Sequence, residues 1–225
     1  MSWLLKSSIG RKFVMAISGL CMVLFLLFHM SMNLVSIFSM EAYEWICAFL
    51  GTNWYALAGT AALAGLFLVH ICYAIWLTLK NRTARGSSYA TTGQADAPWS
   101  SKNMFVLGIA LLAFMLVHLY DFWFKMMFSE LVGLPGAVFA HNPGEVGAHV
   151  LLVFGEAWRV VVYLIGIIAL WFHLAHGVWS MFQSVGLSGR VWSPRLKCVA
   201  YIVGTIICIG FAIVPIFFFA KSILG

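Results

Sequence analysis

Five long apolar stretches alternate with short polar segments along the 225-residue chain. Each stretch is longer than the roughly 20 helical residues that cross the hydrocarbon layer of a bilayer. None shows the strict alternation of a membrane barrel strand, and a lipid-exposed segment has to satisfy its own backbone hydrogen bonds. The pattern predicts an all-α integral membrane protein, one transmembrane domain over residues 1–225. Its five spanning helices are expected at about 13–38, 54–79, 103–128, 158–182 and 198–220.

Composition supports a membrane location. Apolar residues make up 63% of the chain and Asp, Glu, Lys and Arg only 9%, where a soluble domain carries about 25% charged residues. So little polar surface could not cover a core this apolar, which excludes a soluble single domain and a disordered chain. Nucleic acid is excluded as a partner, because the net charge of +6 comes from basic residues spread over several short loops.

The basic residues divide by side of the membrane. Ten of the 13 fall in the N-terminal tail, the 80–102 loop or the 183–197 loop, and the positive-inside rule makes that face cytoplasmic. We therefore expect the N-terminus inside and the C-terminus outside. No loop is long enough to be an enzyme domain, so chemistry on a soluble substrate is expected on another chain. The ten are Lys6, Arg11, Lys12, Lys80, Arg82, Arg85, Lys102, Arg190, Arg195 and Lys197; the other face carries Lys125, Arg159, Lys221, Glu41, Glu44, Asp121, Glu130, Glu145 and Glu156.

Five of the seven histidines fall inside predicted spans, where an ionisable residue is costly and is by default a functional hypothesis. Their depths can be counted from the cytoplasmic end of each helix. His29 and His118 lie 17 and 15 residues in, in the outer half. His70 and His173 each lie 10 residues in, nearer the cytoplasm. At a rise of 1.5 Å per residue, the two layers differ by roughly 8–10 Å along the membrane normal.

Two depth-matched pairs, each drawn from two helices, are what two haems with two axial imidazoles each would require. Iron takes its axial nitrogens from opposite faces of the porphyrin, and the core of a four-helix bundle supplies facing helices. The simpler alternative is that each histidine only hydrogen bonds to a neighbouring helix. The cysteines offer no CxxC pair, hence no zinc, iron–sulfur or covalent haem spacing. Small residues that could leave room for a porphyrin are Gly19, Gly65, Gly108 and Gly177.

The other histidines have open roles. His176 follows His173 by three residues on a similar helical face, so it is an alternative ligand, a contact for a haem propionate or a help to proton traffic. His141 and His149 fall in the outer loop, where solvated or structural roles are expected. Arg11 and Lys12 could neutralise propionates of the inner haem, although the positive-inside rule explains them equally well.

Four strings around these histidines resemble the dihaem cytochrome b subunit of bacterial succinate:menaquinone oxidoreductases. This subunit is the five-helix membrane anchor of succinate dehydrogenase and fumarate reductase, and the resemblance covers nearly the whole chain. The strings are 28–33 (FHMSMN), 69–73 (VHICY), 117–120 (VHLY) and 172–180 (FHLAHGVWS), followed by Gly186 and by Ser193-Pro194-Arg195.

The resemblance implies a function and two ligand sets. His70 and His173 would hold a proximal haem b near the cytoplasm, and His29 and His118 a distal one. A flavoprotein with covalent FAD and an iron–sulfur protein would bind the cytoplasmic face in the bacterial inner membrane. Electrons would pass between the clusters and menaquinone through the two haems, in either direction, with no dicarboxylate active site on this chain.

The resemblance also implies a quinone site near the distal haem, where quinone reduction needs a proton donor. Three acids on that side are candidates: Glu41 and Glu44 follow the first helix, and Asp121 follows His118 by three residues. The alternative is that all three are solvated acids at the membrane edge. For Asp121 in particular, a pair with Lys125 four residues later would be sufficient.

Two other functions remain open. A dihaem b anchor of a hydrogenase or formate dehydrogenase would use the same histidine pattern and differ only in its partner subunits. A small proton-coupled transporter could use the histidines as relays, but such proteins show broken helices at matching positions of two repeats. We find no internal repeat in the five predicted helices.

Overall fold

The computed structural model describes residues 7–85, 99–140, 142–184, 186–187 and 189–225. Within these ranges the regular elements are helices and no strand occurs. Lys6, His141 and residues 86–98 of the predicted cytoplasmic loop lie outside the described residues, as do the side chains of Arg82 and Arg85.

Five helices in the described part of the chain are long and apolar enough to cross a membrane, which confirms the predicted multi-pass membrane protein. These helices overlap the five expected spans and extend beyond them at several ends. The fifth, for example, begins six residues before the expected residue 198, because Ser193 and Pro194 suit a first helical turn. The spans are Ile9–Phe38, Trp54–Lys80, Met104–Val132, Ala157–Ser184 and Trp192–Leu224.

We number the α-helices in chain order. The set is α1 (Ser8–Phe38), α2 (Met40–Thr52), α3 (Trp54–Arg85), α4 (Trp99–Lys102), α5 (Met104–His118), α6 (Ser129–Val132), α7 (Glu145–Phe154), α8 (Ala157–Ser184) and α9 (Trp192–Leu224). Helices α2, α4 and α7 lie in segments that the hydrophobic pattern left as connections. Ser39 shows why α2 separates from α1: its backbone is extended, and its hydroxyl oxygen accepts a hydrogen bond from the Ala42 N–H at 3.1 Å.

The third span is not a regular α-helix throughout, contrary to the expectation for 103–128. A π-helix, Leu119–Phe128, begins directly after His118 and joins α5 to α6. At its end, both the backbone N–H and the hydroxyl of Ser129 donate to the Phe124 carbonyl, five residues back. The wider turn places Asp121 in the interior, where it is 2% exposed. π-helical turns are rare in proteins, and those that occur are often found at functional sites.

Contacts between residues divide the chain into two compact units, each assembled from three pieces. The first unit comprises the described parts of Met1–Phe25, Ala61–Ile109 and Leu170–Thr205. The second unit comprises those of Leu26–Thr60, Ala110–Ala169 and Ile206–Gly225. Buried side chains of the first unit include Leu107, Leu174 and Ala200, and the core of the second is built around Val146, Val153, Phe154, Tyr163 and Phe218.

Candidate functional site

The first unit brings His70 of α3 next to His173 of α8. Their ring centroids are 6.4 Å apart and the ring planes are tilted by 59°. The His70 ring packs directly on α1, where Gly19 permits the approach: a Cβ there would lie 3.7 Å from His70 Cε1. His70 Nδ1 is also 3.1 Å from the hydroxyl oxygen of Ser18.

The second unit brings His29 of α1 next to His118 at the end of α5. Their ring centroids are 5.8 Å apart and the planes are nearly perpendicular, at 83°. Aromatic side chains pack around His118, with ring centroids of Phe114, Phe122 and Tyr163 all within 6.0 Å of it. The structure thus joins the four histidines in the two pairs that the depth count predicts, and each pair lies in one unit.

The ring separations of the two histidine pairs would allow each pair to bind one metal ion. An imidazole nitrogen binds a metal ion at about 2.0 Å, so two imidazoles on opposite sides of one ion have ring centroids about 6 Å apart. Both pairs lie close to that value. In the part of the chain that the structure describes, no three His, Cys, Asp or Glu side chains converge on one point. A metal held by either pair would therefore need further ligands from a non-protein group such as a porphyrin.

Three buried nitrogens have no hydrogen-bond partner among the described residues, and all three lie in the first unit. They are Arg11 Nε, His173 Nδ1 and His176 Nδ1. The Arg11 guanidinium packs over the ring of Trp76, with its carbon 5.0 Å from the centroid. A buried polar group without a partner costs about 1–3 kcal/mol. Arg11 Nε is always a donor, and each histidine Nδ1 is one in the tautomer that carries its proton there, so this unit is able to donate hydrogen bonds to an anionic group from another molecule. Lys12, the second predicted contact of this kind, has an exposed side chain.

The ring of His176 contacts a different residue from the rings of His70 and His173. Its ring makes an edge contact with Trp179, at 5.5 Å between centroids, whereas the ring against His70 is that of His173. The geometry therefore favours His173 over His176 as the partner of His70. A role for His176 as a donor to an anionic group stays a prediction, and its unpartnered Nδ1 is consistent with it.

Glu44 has a structural contact that the sequence did not predict. Its two carboxylate oxygens accept backbone hydrogen bonds from Gly144 at 3.1 Å and Gly147 at 3.0 Å, at the start of α7. A carboxylate at a helix N-terminus satisfies free N–H groups and interacts favourably with the helix dipole. Glu41, in the first turn of α2, is exposed.

Asp121 is neither solvated nor paired with Lys125. Its Oδ1 accepts from the Arg159 guanidinium of α8, and its Oδ2 accepts from the Tyr163 hydroxyl at 3.0 Å. The Lys125 ammonium instead lies 5.5 Å from the centroid of the Tyr120 ring. The alternative of an i,i+4 pair with Lys125 is wrong, because the π-helix directs Asp121 to the interior. There, within the described part of the chain, the cation that pairs with it comes from α8.

His149 of α7 completes this cluster. Its Nε2 donates to the backbone carbonyl of Asp121 at 2.6 Å, which is a structural role of the kind expected for it. Arg159 also donates from Nε to Glu156 at 2.8 Å. Arg159 and Tyr163 are not among the site residues that the sequence predicts. One signal could have found Arg159: it is a single cation in the first turn of an apolar span, on the face predicted to hold the acids.

A second polar chain leads to His29 from outside the spans. The Tyr43 hydroxyl donates to Asn33 Oδ1 at 3.3 Å, and Asn33 Nδ2 donates to the His29 carbonyl at 2.7 Å. Burial raises the pKa of the Tyr43 hydroxyl above its usual range. Burial also raises the pKa of the nearby Cys47 thiol, to about 11. Both groups are therefore uncharged at neutral pH, so this chain adds no charge near the histidine pair.

A small cavity lies in the first unit, apart from the histidine pair. Its volume of about 180 Å³ is below the roughly 300–1,000 Å³ of typical small-molecule pockets, so we assign no ligand to it. Its walls are Trp99, Ser100, Trp171, Phe172, Ala175 and Tyr201. Searches of family models, of curated proteins and of solved structures find no match to this chain.

Proposed function

We propose that the chain is the dihaem cytochrome b membrane anchor of a succinate dehydrogenase/fumarate reductase complex in a bacterial inner membrane. The observation that carries the proposal is the presence of two histidine pairs, one in each unit, each with its rings at a distance that would let both imidazoles bind one iron. Packed aromatic rings have the same separation, so the support lies in the pairing itself. Four histidines from four spanning helices meet in two pairs.

The surroundings of the pair in the first unit support this proposal. His70 and His173 would hold one haem, and His29 and His118 the other. Arg11 and His176 would donate hydrogen bonds to the propionates of the haem in the first unit, because each has a buried nitrogen without an acceptor among the described residues. When bound, each haem supplies a one-electron redox centre inside the membrane.

The proposal also assigns roles to the apolar helices, to the partner subunits and to the candidate acids. Its apolar helices would insulate the electron path, and a flavoprotein with FAD together with an iron–sulfur subunit would bind the cytoplasmic face and carry the dicarboxylate site. Menaquinone would react in the second unit, which contains all three candidate acids, Glu41, Glu44 and Asp121. Of these, Asp121 is linked to a histidine pair, since the Tyr163 that binds it also contacts His118.

Spectra of the purified native complex test the haem assignment. Reduced-minus-oxidised spectra should contain two b-type signals; His70→Ala and His173→Ala should remove one, and His29→Ala and His118→Ala the other. Because a variant without its haem can fail to assemble, each position is also changed to glycine and assayed with added imidazole, which should restore the lost signal. His149→Ala is the matched control and should keep both signals. Two signals that survive all four replacements would rule out the ligand assignment.

Partner identity tests the rest of the proposal. The complex should co-purify with a flavoprotein and an iron–sulfur protein, and should couple succinate oxidation or fumarate reduction to a menaquinone analogue. A molybdenum or nickel enzyme in the same complex would instead identify the anchor of a formate dehydrogenase or hydrogenase. A colourless preparation would remove the haem proposal altogether.

A further inference from the structure

Ser18 is a buried polar residue that neither the hydrophobic pattern nor the histidine spacing identifies. It lies in the N-terminal half of α1 and is 2% exposed. Its hydroxyl oxygen is 3.1 Å from the Met15 carbonyl, three residues back, and 3.1 Å from His70 Nδ1, on another helix of the first unit. The hydroxyl therefore links the backbone of α1 to one ring of the histidine pair.

The proton positions in this link follow from the groups involved. The hydroxyl has a single proton, and a carbonyl oxygen can only accept, so the contact with Met15 requires Ser18 to donate there. The hydroxyl oxygen then accepts from His70, which requires the proton of the neutral imidazole to be on Nδ1. In that tautomer the lone pair able to bind a metal is on Nε2.

We propose that Ser18 is a positioning residue for the iron ligand His70. It fixes the ring against α1, holds the proton on Nδ1 and leaves Nε2 as the ligand nitrogen. This inference rests on the proposed function. Second-shell acceptors of this kind set the tautomer and orientation of a ligating histidine and raise its basicity, and their loss typically costs 10–100-fold in metal affinity or activity.

The other ligand of the pair has no such support. Nδ1 of His173 is buried and finds no acceptor among the residues that the structure describes. Among the described residues, Ser18 is therefore the hydrogen-bond partner found on a ring of this pair. A more basic axial imidazole stabilises the ferric state, so loss of the Ser18 acceptor should raise the reduction potential of this haem.

Packing alone does not explain Ser18. A buried serine in a helix can satisfy its hydroxyl with the carbonyl three residues back, and Ser36 in the same helix does so, donating to Asn33 at 2.6 Å. Ser36 is 5% exposed, and within the described structure its hydroxyl makes no hydrogen bond to a histidine. Ser36→Ala therefore removes the same atom from the same kind of site and is the matched control.

The test compares Ser18→Ala, Ser18→Thr and Ser36→Ala in the full complex. The haem that depends on His70 is first identified by its loss in His70→Ala. In Ser18→Ala we expect its oxidised-to-reduced ratio at a fixed potential to fall about tenfold, which is 59 mV upward for one electron. Its low-spin ferric paramagnetic resonance signal should also shift, because the ring is free to rotate. Ser18→Thr keeps the hydroxyl and should keep both properties, as should Ser36→Ala.

The outcomes separate this inference from the proposed function. A preparation of the unaltered complex without haem would overturn both. Two intact haems, with the potential and the resonance signal of the His70-dependent haem unchanged in Ser18→Ala, would overturn only the role of Ser18. If Ser18→Ala does not assemble, Ser18→Cys retains the volume with a weak acceptor. An unchanged potential in that variant would equally overturn the inference, and a rise would support it.

Discussion

The two histidine pairs have similar ring separations and very different surroundings. In the first unit, the only ring that contacts His70 or His173 among the described residues is that of its partner, and the neighbouring polar contact is the neutral Ser18. In the second unit, aromatic rings pack around His118, and the nearby charges of Asp121 and Arg159 are paired with each other.

The two units differ in whether their buried polar groups have hydrogen-bond partners within the described structure. The second unit uses its charges internally: the carboxylate of Asp121 accepts from Arg159 and from Tyr163, and both are provided by α8. The first unit leaves buried nitrogens of Arg11, His173 and His176 without an acceptor among the described residues. We infer that substitutions in the second unit mainly cost folding free energy, and that those in the first mainly affect what the protein binds.

The largest effect is expected from breaking the buried ion pair. Asp121→Ala leaves the Arg159 charge with Glu156 as its one ion-pair partner among the described residues. Removing one member of a buried pair typically costs 3–5 kcal/mol, and because Arg159 is 19% exposed we expect about 3 kcal/mol. Arg11→Met, which strands no acid in the described contacts, should cost about 1 kcal/mol or less. Thermal unfolding of both variants in detergent measures the contrast. Equal losses in the two would refute the division of roles between the units.

A smaller effect is expected from the packing around His118. A Cβ at Gly166 would overlap the ring of Phe114, which packs against His118 and Tyr163. Gly166→Ala should therefore cost about 1–3 kcal/mol, the usual penalty of overpacking, and should perturb the haem signal that depends on His118. The measurements are thermal unfolding and reduced-minus-oxidised spectra.

Gly59 provides the matched control for this substitution. It lies in the same unit and is exposed, and a Cβ there would meet no atom within 4 Å. Gly59→Ala should leave the spectrum unchanged and should be neutral or slightly stabilising, since alanine is favoured over glycine in a helix by up to about 1 kcal/mol. A spectrum altered equally by both substitutions would show that the close contact at Gly166 is not the cause.

The sequence predicts the features that depend on local pattern. Apolar runs of membrane length give the five spans, and helical rise converts residue counts into depth, which was sufficient to pair His29 with His118 and His70 with His173. The features that it does not predict depend on contacts between distant segments. Ser18 meets His70 across 52 residues, and Asp121 meets Arg159 across 38. Without knowing that 119–128 forms a π-helix, i,i+4 spacing selected Lys125 instead.

The smallest effect is expected at Glu44, and it distinguishes a structural acid from a quinone-site acid in the second unit. Glu44→Ala removes the acceptor of the Gly144 and Gly147 N–H groups, so we expect a loss of about 1 kcal/mol and faster amide hydrogen exchange at the start of α7. Glu41→Ala is the control, because its side chain is exposed, and should change neither quantity. Faster exchange in Glu44→Ala with quinone turnover retained would assign Glu44 to the fold. Loss of quinone turnover with unchanged amide exchange would instead identify Glu44 as a quinone-site residue. The carboxylate would then be needed for the reaction and not for the N-terminus of α7.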